Sequence, residues 1–338
     1  MYIKSSMEAC MLKLLLSEKI SEKAIKLLKD AGFLVKISPS TDEEVMEKEV
    51  RDVDAVLVRT TTITKKIMDS GKKLQIIARH GTGIDNIDVV EATKKGILVT
   101  NVDGANAYSV AEYVVASMLT LSRKLYKSNH LFTEGRLSVK GSSLPALASR
   151  YDLNGSEIRG KKLAILGLGK VGIILASLAE KMGVQVVAYD PYLTKSPVPL
   201  IPNLTEIYKT ADFISINMPL TSQTKNMITK KELQNMKKST FIINAGRGGI
   251  INEQDLADAL NEELIAGAAV DVFLPEPPEK NNPLLTAKNS LLTCHIAGTT
   301  IEAIESLGIE AANSIIDYFN GQMPKFPVNP EIAKELRA

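Results

Sequence analysis

Residues 161–190 read KKLAILGLGKVGIILASLAEKMGVQVVAYD, and this stretch decides the architecture. LAILG is an apolar run of strand length. Gly167, Gly169 and Gly172 then give G-x-G-x-x-G, and a helical pattern follows without interruption. A second apolar run, VQVVAYD, ends on Asp190, 23 positions after Gly167, close to the spacing of about 20 that a dinucleotide-binding βαβ unit requires. Gly167 permits the tight turn, Gly169 lets the backbone approach a pyrophosphate, and Gly172 lets the helix pack close to the strand. The N–H groups of the helix start then receive the phosphates. A carboxylate at Asp190 accepts hydrogen bonds from the adenosine ribose and repels a 2′-phosphate. Pro191 and Tyr192 follow it, with no arginine to welcome that phosphate. The expected cofactor is therefore NAD rather than NADP.

Outward from this turn, strand and helix patterns alternate in both directions. Downstream come FISIN, FIINAG, GAAVDV and LLTCHI, which with LAILG and VQVVAYD make six strands of a doubly wound domain. Upstream, apolar runs at Met11–Ser17, Phe33–Ile37, Ala55–Val58, Leu74–Ala78 and Ile97–Thr100 alternate with helical patterns such as Ile20–Leu28. They predict a second parallel sheet covered on both faces. Residues 1–10 read as a ragged extension. A long helix is expected from about Ser109 to Leu125, and Thr133–Ser156 reads as a loop with a short helix around Leu144–Ala148. The amphipathic stripe of Ile301–Phe319 is expected to pack back on the first domain. The fold class is thus α/β: two doubly wound parallel-sheet domains, residues 1–107 with 301–338 and residues 108–300. The expected crossings lie near residues 105–112 and 298–303, with a cleft between the domains.

The chain has 338 residues, of which 45 % are apolar and 24 % charged, with a formal net charge of +2. So small and evenly spread a charge gives no expectation of nucleic acid or membrane as a partner. An anionic substrate must be met by local Arg or Lys residues. The apolar run ending at Leu16 is too short to span a membrane and has no cleavage site after it. With only Cys10 and Cys294, far apart in sequence, neither a disulfide framework nor a cysteine metal site is expected. No other metal-ligand spacing is present. The cytoplasm is the expected location.

Three polar residues stand where strands of the second domain end, on the edge where such sheets bind ligands. Arg247 follows FIINAG, Glu276 lies in the proline-flanked loop after Asp271, and His295 follows the last strand. Each has an ordinary structural explanation when taken singly. Together they read as an acid–base set.

Long motifs in the right order make the resemblance specific: RHGTGIDNID, NVDGANAYSVAEYV, LGLGKVG, NAGRGGIINEQDLADAL, GAAVDVFLPEPP and CHIAGTT. From about residue 11 to 330 the chain resembles the D-isomer-specific 2-hydroxyacid dehydrogenase family. The resemblance implies a flavodoxin-like substrate domain and a Rossmann NAD domain. It implies that His295 is the proton shuttle, Glu276 its carboxylate partner, and Arg247 the residue that binds the substrate carboxylate and carbonyl. Asp271 would hold the nicotinamide carboxamide. Thr82, Lys170, Val171, Met218, Ala245, Gly246 and Gly298 match cofactor-contact positions, beside Gly167, Gly169, Gly172 and Asp190. The loop Gly81–Gly83 would offer amides to the substrate carboxylate. Cys294 stands where the family often has proline, and Asn217-Met218-Pro219 replaces a more frequent His-containing triplet. Arg136–Tyr151 is longer than expected in a region that lies near the dimer contact of related proteins; a homodimer or homotetramer is implied.

Arg59 and Arg79 resemble cleft arginines of the phosphoglycerate dehydrogenase branch, and two cationic forks suit a second anionic group on a small 2-hydroxy or 2-oxo acid. The ordinary alternative is that one of them pairs with a structural group. The expected reaction is oxidation of 3-phosphoglycerate to 3-phosphohydroxypyruvate in serine biosynthesis. Hydroxypyruvate, glyoxylate or a sulfolactate-type substrate is the alternative. The resemblance further implies a short form without C-terminal regulatory domains. An NAD(H)-sensing corepressor on the same fold is the alternative of another class. Formate oxidation is disfavoured because Glu276 stands where that group resembles a Gln.

Overall fold

The computed structural model describes residues 11–337. The extension expected over residues 1–10 lies outside them. The chain divides into two compact units, one running to Asn106 and resuming at Thr300, the other Ala107–Thr299.

In the first unit, β1 (Lys13–Leu16), β2 (Leu34–Ile37), β3 (Ala55–Val58), β4 (Ile76–Arg79) and β5 (Leu98–Thr100) pair in parallel in the order β2-β1-β3-β4-β5. This is the flavodoxin-like order. Alternate side chains of the central strands leave opposite faces, and both faces are covered. Leu14, Leu16, Leu57 and Ala78 pack with Ala24 and Leu28 of helix Glu22–Asp30, and with Leu307, Ala311 and Ile315 of helix Ile301–Phe319. The apolar stripe of that late helix therefore finds its partner on the earlier sheet. Leu15, Val56, Val58 and Ile77 face the helices Glu43–Glu49, Lys65–Ser70 and Val89–Lys94. Caps fix the helix starts: Ser21, Thr64 and Asp88 each accept a backbone N–H three residues on.

His80, one residue beyond β4, is 4 % exposed, and its Nε2 lies 3.1 Å from the carbonyl of Ile304. Burial, with the nearby charges of Arg59 and Arg79 adding to it, lowers its pKa to about 4. The unfolded chain, with an ordinary histidine near 6.5, therefore takes up the proton first on acidification. Stability from neutral His80 is complete above pH 6.5 or so and is lost as the pH falls towards 4, by about 3 kcal/mol. Urea midpoints of the wild type and of His80→Gln, compared at pH 7.5 and pH 4.5, should show the wild type losing more. Parallel slopes would contradict it.

In the second unit, β6 (Lys162–Leu166), β7 (Gln185–Tyr189), β8 (Phe213–Ile216), β9 (Phe241–Asn244), β10 (Gly267–Val270) and β11 (Ser290–Leu292) form a parallel sheet in the order β11-β10-β9-β8-β6-β7. The outer neighbour of β7 is reduced to one bridge, Ala188 to Leu200. Its segment, SPVPLIPN, carries Pro197, Pro199 and Pro202, which have no N–H to extend a ladder. Helices Ala107–Ser122 and Lys170–Lys181 cover one face. Helices Leu204–Thr210, Lys230–Gln234 and Glu253–Asn261 cover the other.

The segment after the first helix is more ordered than its composition predicts. The helix starting at Ala107 stops at Ser122 because Lys124 takes a left-handed φ of 52°, and a separate helix runs Leu125–Thr133. The short helix expected near Leu144 spans Leu144–Arg150, capped by Ser143. Leu131, Leu137 and Leu147 form a small core of their own.

Candidate active site

The catalytic candidates stand on neighbouring strands. Strands β9, β10 and β11 are adjacent, and Arg247, Asp271 and His295 follow their C-terminal ends. A strand spacing of about 4.8 Å brings three such ends within about 10 Å.

His295 Nδ1 lies 2.6 Å from Glu276 Oε1, and both side chains are about half exposed, 49 % and 44 %. The contact has long sequence reach but a short structural cause. Glu276 sits in a loop tied down by Glu253, whose carboxylate accepts from Leu274 N at 2.8 Å and from Asn282 Nδ2 at 2.5 Å. The peptide bonds preceding Pro275 and Pro277 are cis.

His295 itself has φ 56°, a left-handed conformation that a non-glycine residue adopts only where its surroundings impose it. Asp271 imposes it. This carboxylate is 1 % exposed and accepts from Ile296 N at 2.9 Å, Ala297 N at 2.8 Å and Thr293 Oγ1 at 2.6 Å, while its carbonyl takes His295 N at 2.8 Å. Tyr113 OH adds a contact to Thr293 Oγ1 at 2.6 Å. Asp271 therefore holds the histidine loop, a structural duty that its strand-end position alone does not disclose.

Arg247 lies in a loop braced by Asn244, which donates to the Arg247 carbonyl at 3.0 Å and accepts from Gly246 N at 3.2 Å. One guanidinium N–H reaches the Gly246 carbonyl at 2.8 Å. A planar fork held in this way remains suited to a bidentate carboxylate.

The glycine turn at the end of β6 fits a dinucleotide. Gly167 has φ +92°, and a Cβ on Gly172 would stand 2.6 Å from the Gly167 carbonyl. By contrast, a Cβ on Gly169 would meet nothing within 4 Å, which is the open space a pyrophosphate needs. Gly169 caps the helix beginning at Lys170 without a side-chain bond, so the amides of Lys170, Val171 and Gly172 have no intrahelical acceptor. Asp190 accepts from Leu168 N through Oδ2 and from Tyr192 N through Oδ1, each at 3.0 Å. One lone pair on each oxygen is left to receive a ribose hydroxyl. Met218 and Gly246 border the same edge: positions for Cβ on Gly167 and Gly246 fall 2.8 Å from Met218 Cγ and 3.1 Å from the Met218 carbonyl. Ala245 lies between Asn244 and Gly246, and Gly298 follows the clamped Ala297.

Arg59, Arg79, Gly81, Thr82 and Gly83 belong to the first unit. Arg79 turns back on its own loop, with Nε donating to Asn86 Oδ1 at 3.0 Å and Nη1 to the His80 carbonyl at 2.6 Å. Thr82 Oγ1 donates to the Val102 carbonyl at 2.9 Å, and Val102 N to the Gly81 carbonyl at 3.0 Å. Among the described residues no cluster of three or more His, Cys, Asp or Glu side chains could hold a metal ion. Among them, too, no helix is long and apolar enough to cross a membrane.

A parallel sheet with a glycine turn, a carboxylate at the end of the next strand and a histidine–glutamate pair on one edge has the make-up of a nucleotide-dependent oxidoreductase site. The family model for the NAD binding domain of D-isomer specific 2-hydroxyacid dehydrogenases matches residues 115–297, and the chain belongs to that family. The D-3-phosphoglycerate dehydrogenase of Methanocaldococcus jannaschii is 36 % identical over 332 residues, which are 96 % of this chain but 61 % of that protein. The chain thus spans about three fifths of the length of this relative. Hydroxypyruvate reductase of Thermotoga maritima is 36 % identical over 307 residues, 88 % of this chain and 95 % of its own. A crystal structure of a Thermus thermophilus protein has a TM-score of 0.86 at 26 % identity, covering 94 % of this chain and 100 % of its own.

Proposed function

We propose that the protein is an NAD-dependent oxidoreductase that interconverts a D-2-hydroxy acid and its 2-oxo acid, with 3-phosphoglycerate as the preferred substrate. The observation that carries this reading is the 2.6 Å contact between His295 and Glu276, two strand ends from Arg247. Bound NAD supplies the hydride chemistry. Glu276 accepts from Nδ1–H of His295, which fixes the tautomer and leaves Nε2 as the base that takes the hydroxyl proton during oxidation. The imidazolium so formed lies against a carboxylate that stabilises it. Arg247 binds the substrate carboxylate and polarises the C2 oxygen through its parallel N–H groups. Asp271 acts mainly by keeping His295 in place, and its reach to a nicotinamide carboxamide is part of the same proposal. Thr82, Gly81 and Gly83 supply the remaining cofactor and carboxylate contacts.

Arg59 is the favoured partner for a second anionic group, because two donors of Arg79 are already committed to Asn86 and His80. That same commitment favours a second reading, a hydroxypyruvate or glyoxylate reductase, whose substrate needs fewer cations. The exposed Leu125, Phe132, Val139 and Leu144 support assembly as a homodimer or homotetramer through this segment. The cytoplasm is the proposed location.

A panel of D- and L-2-hydroxy acids and 2-oxo acids, each with NAD(H) and NADP(H), tests the reading. The expected result is turnover of D-3-phosphoglycerate with NAD, at a higher kcat/KM than any unphosphorylated acid. A faster rate with NADP would contradict the role of Asp190. Tight NADH binding without turnover of any acid would favour the sensing protein.

A further inference from the structure

Arg59 follows β3 directly, and among the described residues no carboxylate or carbonyl takes its guanidinium. Its backbone is clamped from two sides. On one side stands Glu18, two residues beyond the end of β1, the strand beside β3. The Glu18 carboxylate accepts from Thr60 N at 3.1 and 3.0 Å, from Arg59 N at 3.3 Å, from Thr61 Oγ1 at 3.2 Å and from the Thr60 hydroxyl. Ser17 Oγ donates to the same carboxylate at 2.5 Å and accepts from Arg59 N at 3.1 Å. On the other side, Asn86 Nδ2 donates to the Thr61 carbonyl at 2.7 Å, and Asn86 is itself held by Arg79.

The chemistry of this clamp is specific. An ionised carboxylate only accepts, so it matches a row of N–H and O–H donors that a carboxamide would partly oppose with its own NH₂. Burial pushes the Glu18 carboxyl up, but the hydrogen bonds from Ser17, Thr60 and Thr61 together outweigh it and hold the carboxyl below its usual range. The clamp is therefore charged at neutral pH. Thr60 is exposed, and a surface loop that only had to turn would need no such set of bonds.

We propose that Glu18 is a positioning residue for the substrate, its carboxylate fixing the Arg59–Thr61 backbone so that the Arg59 guanidinium is pre-organised for the substrate's phosphate. This rests on the reading of Arg59 given above. Asn86, anchored by Arg79, completes the clamp from the carbonyl side. The Arg79 side chain thereby acts through Arg59 rather than on the anion.

The test uses the full chain and three proteins: wild type, Glu18→Gln and Arg59→Gln. Each is assayed with 3-phosphoglycerate and NAD and with glyoxylate and NADH, and amide hydrogen exchange is followed across residues 55–64. Both variants should lower the selectivity for 3-phosphoglycerate over glyoxylate by about tenfold or more, through KM rather than kcat. In Glu18→Gln alone, the amides of residues 59–61 should also exchange at least about tenfold faster. If Arg59→Gln loses selectivity and Glu18→Gln does not, the proposal is overturned while the reading of Arg59 stands. Equal losses on both substrates in Glu18→Gln, or unchanged exchange, overturn it too. If Arg59→Gln changes nothing, the reading of Arg59 has failed, and faster exchange in Glu18→Gln then assigns Glu18 to the fold alone.

Discussion

Replacing His295 by Gln is expected to lower kcat on the order of 10²-fold or more while leaving NADH binding intact. The amide keeps a polar side chain of similar reach, but it cannot take the hydroxyl proton or carry positive charge. The loop should persist, because its anchors are the Asp271 carboxylate and carbonyl, which hold the backbones of residues 295–297 rather than the imidazole. Binding and chemistry are thereby separable. Fluorescence titration of NADH should give a Kd near the wild-type value, and the lost rate should lie in kcat. An unchanged kcat would remove His295 from the proton-transfer step.

The largest effect on stability is expected at Gly248, the residue after Arg247 in the sequence. A Cβ on Gly248 would lie 2.1 Å from both the carbonyl carbon and oxygen of Phe273 and 2.8 Å from Leu274 N, closer than real Cβ contacts come. The obstacle is backbone, so no side chain can swing away. Nor can the segment retreat cheaply, since Phe273 is buried and Leu274 N is held by Glu253. Gly248→Ala should therefore cost about 3–5 kcal/mol, and it should disturb Glu276 three residues further on. Gly169→Ala is the contrasting case, with no atom near its added methyl and an ordinary φ of −73°. Its thermal midpoint should stay near that of the wild type, while its KM for NAD rises by about tenfold or more as the methyl enters the pyrophosphate space. A Gly248→Ala protein that melts with the wild type would refute the close approach.

Both sheets were legible in the sequence because buried parallel strands read as apolar runs punctuated by turns. The glycine turn and Asp190 were legible from their fixed spacing, and Arg247, Glu276 and His295 from their places after apolar strands, with the roles of the last three implied by the family resemblance. What escaped had no such periodic or compositional mark. The break at Lys124 involves neither Gly nor Pro, and the helix Leu125–Thr133 that follows it covers mostly residues for which the sequence carried no expectation. Glu18, Asn86, Glu253 and Thr293 act across 21 to 43 positions of sequence. Only Glu18 left a trace, as a carboxylate just after an apolar strand. Asp271 shows the same limit from the other side: the resemblance implied a cofactor contact, and nothing in the sequence disclosed that its buried carboxylate also holds the loop that carries His295.

The most direct measurement is isotope transfer at C2. The protein is incubated with NADH carrying deuterium at both C4 positions of the nicotinamide and with hydroxypyruvate, and the glycerate formed is examined for label and configuration. The expected product is D-glycerate with deuterium at C2, formed by the wild type and nearly absent with His295→Gln. L-glycerate, or a product without deuterium at C2, would contradict direct hydride transfer at a D-2-hydroxy acid site. Binding of NADH with no product at all would contradict the catalytic reading itself.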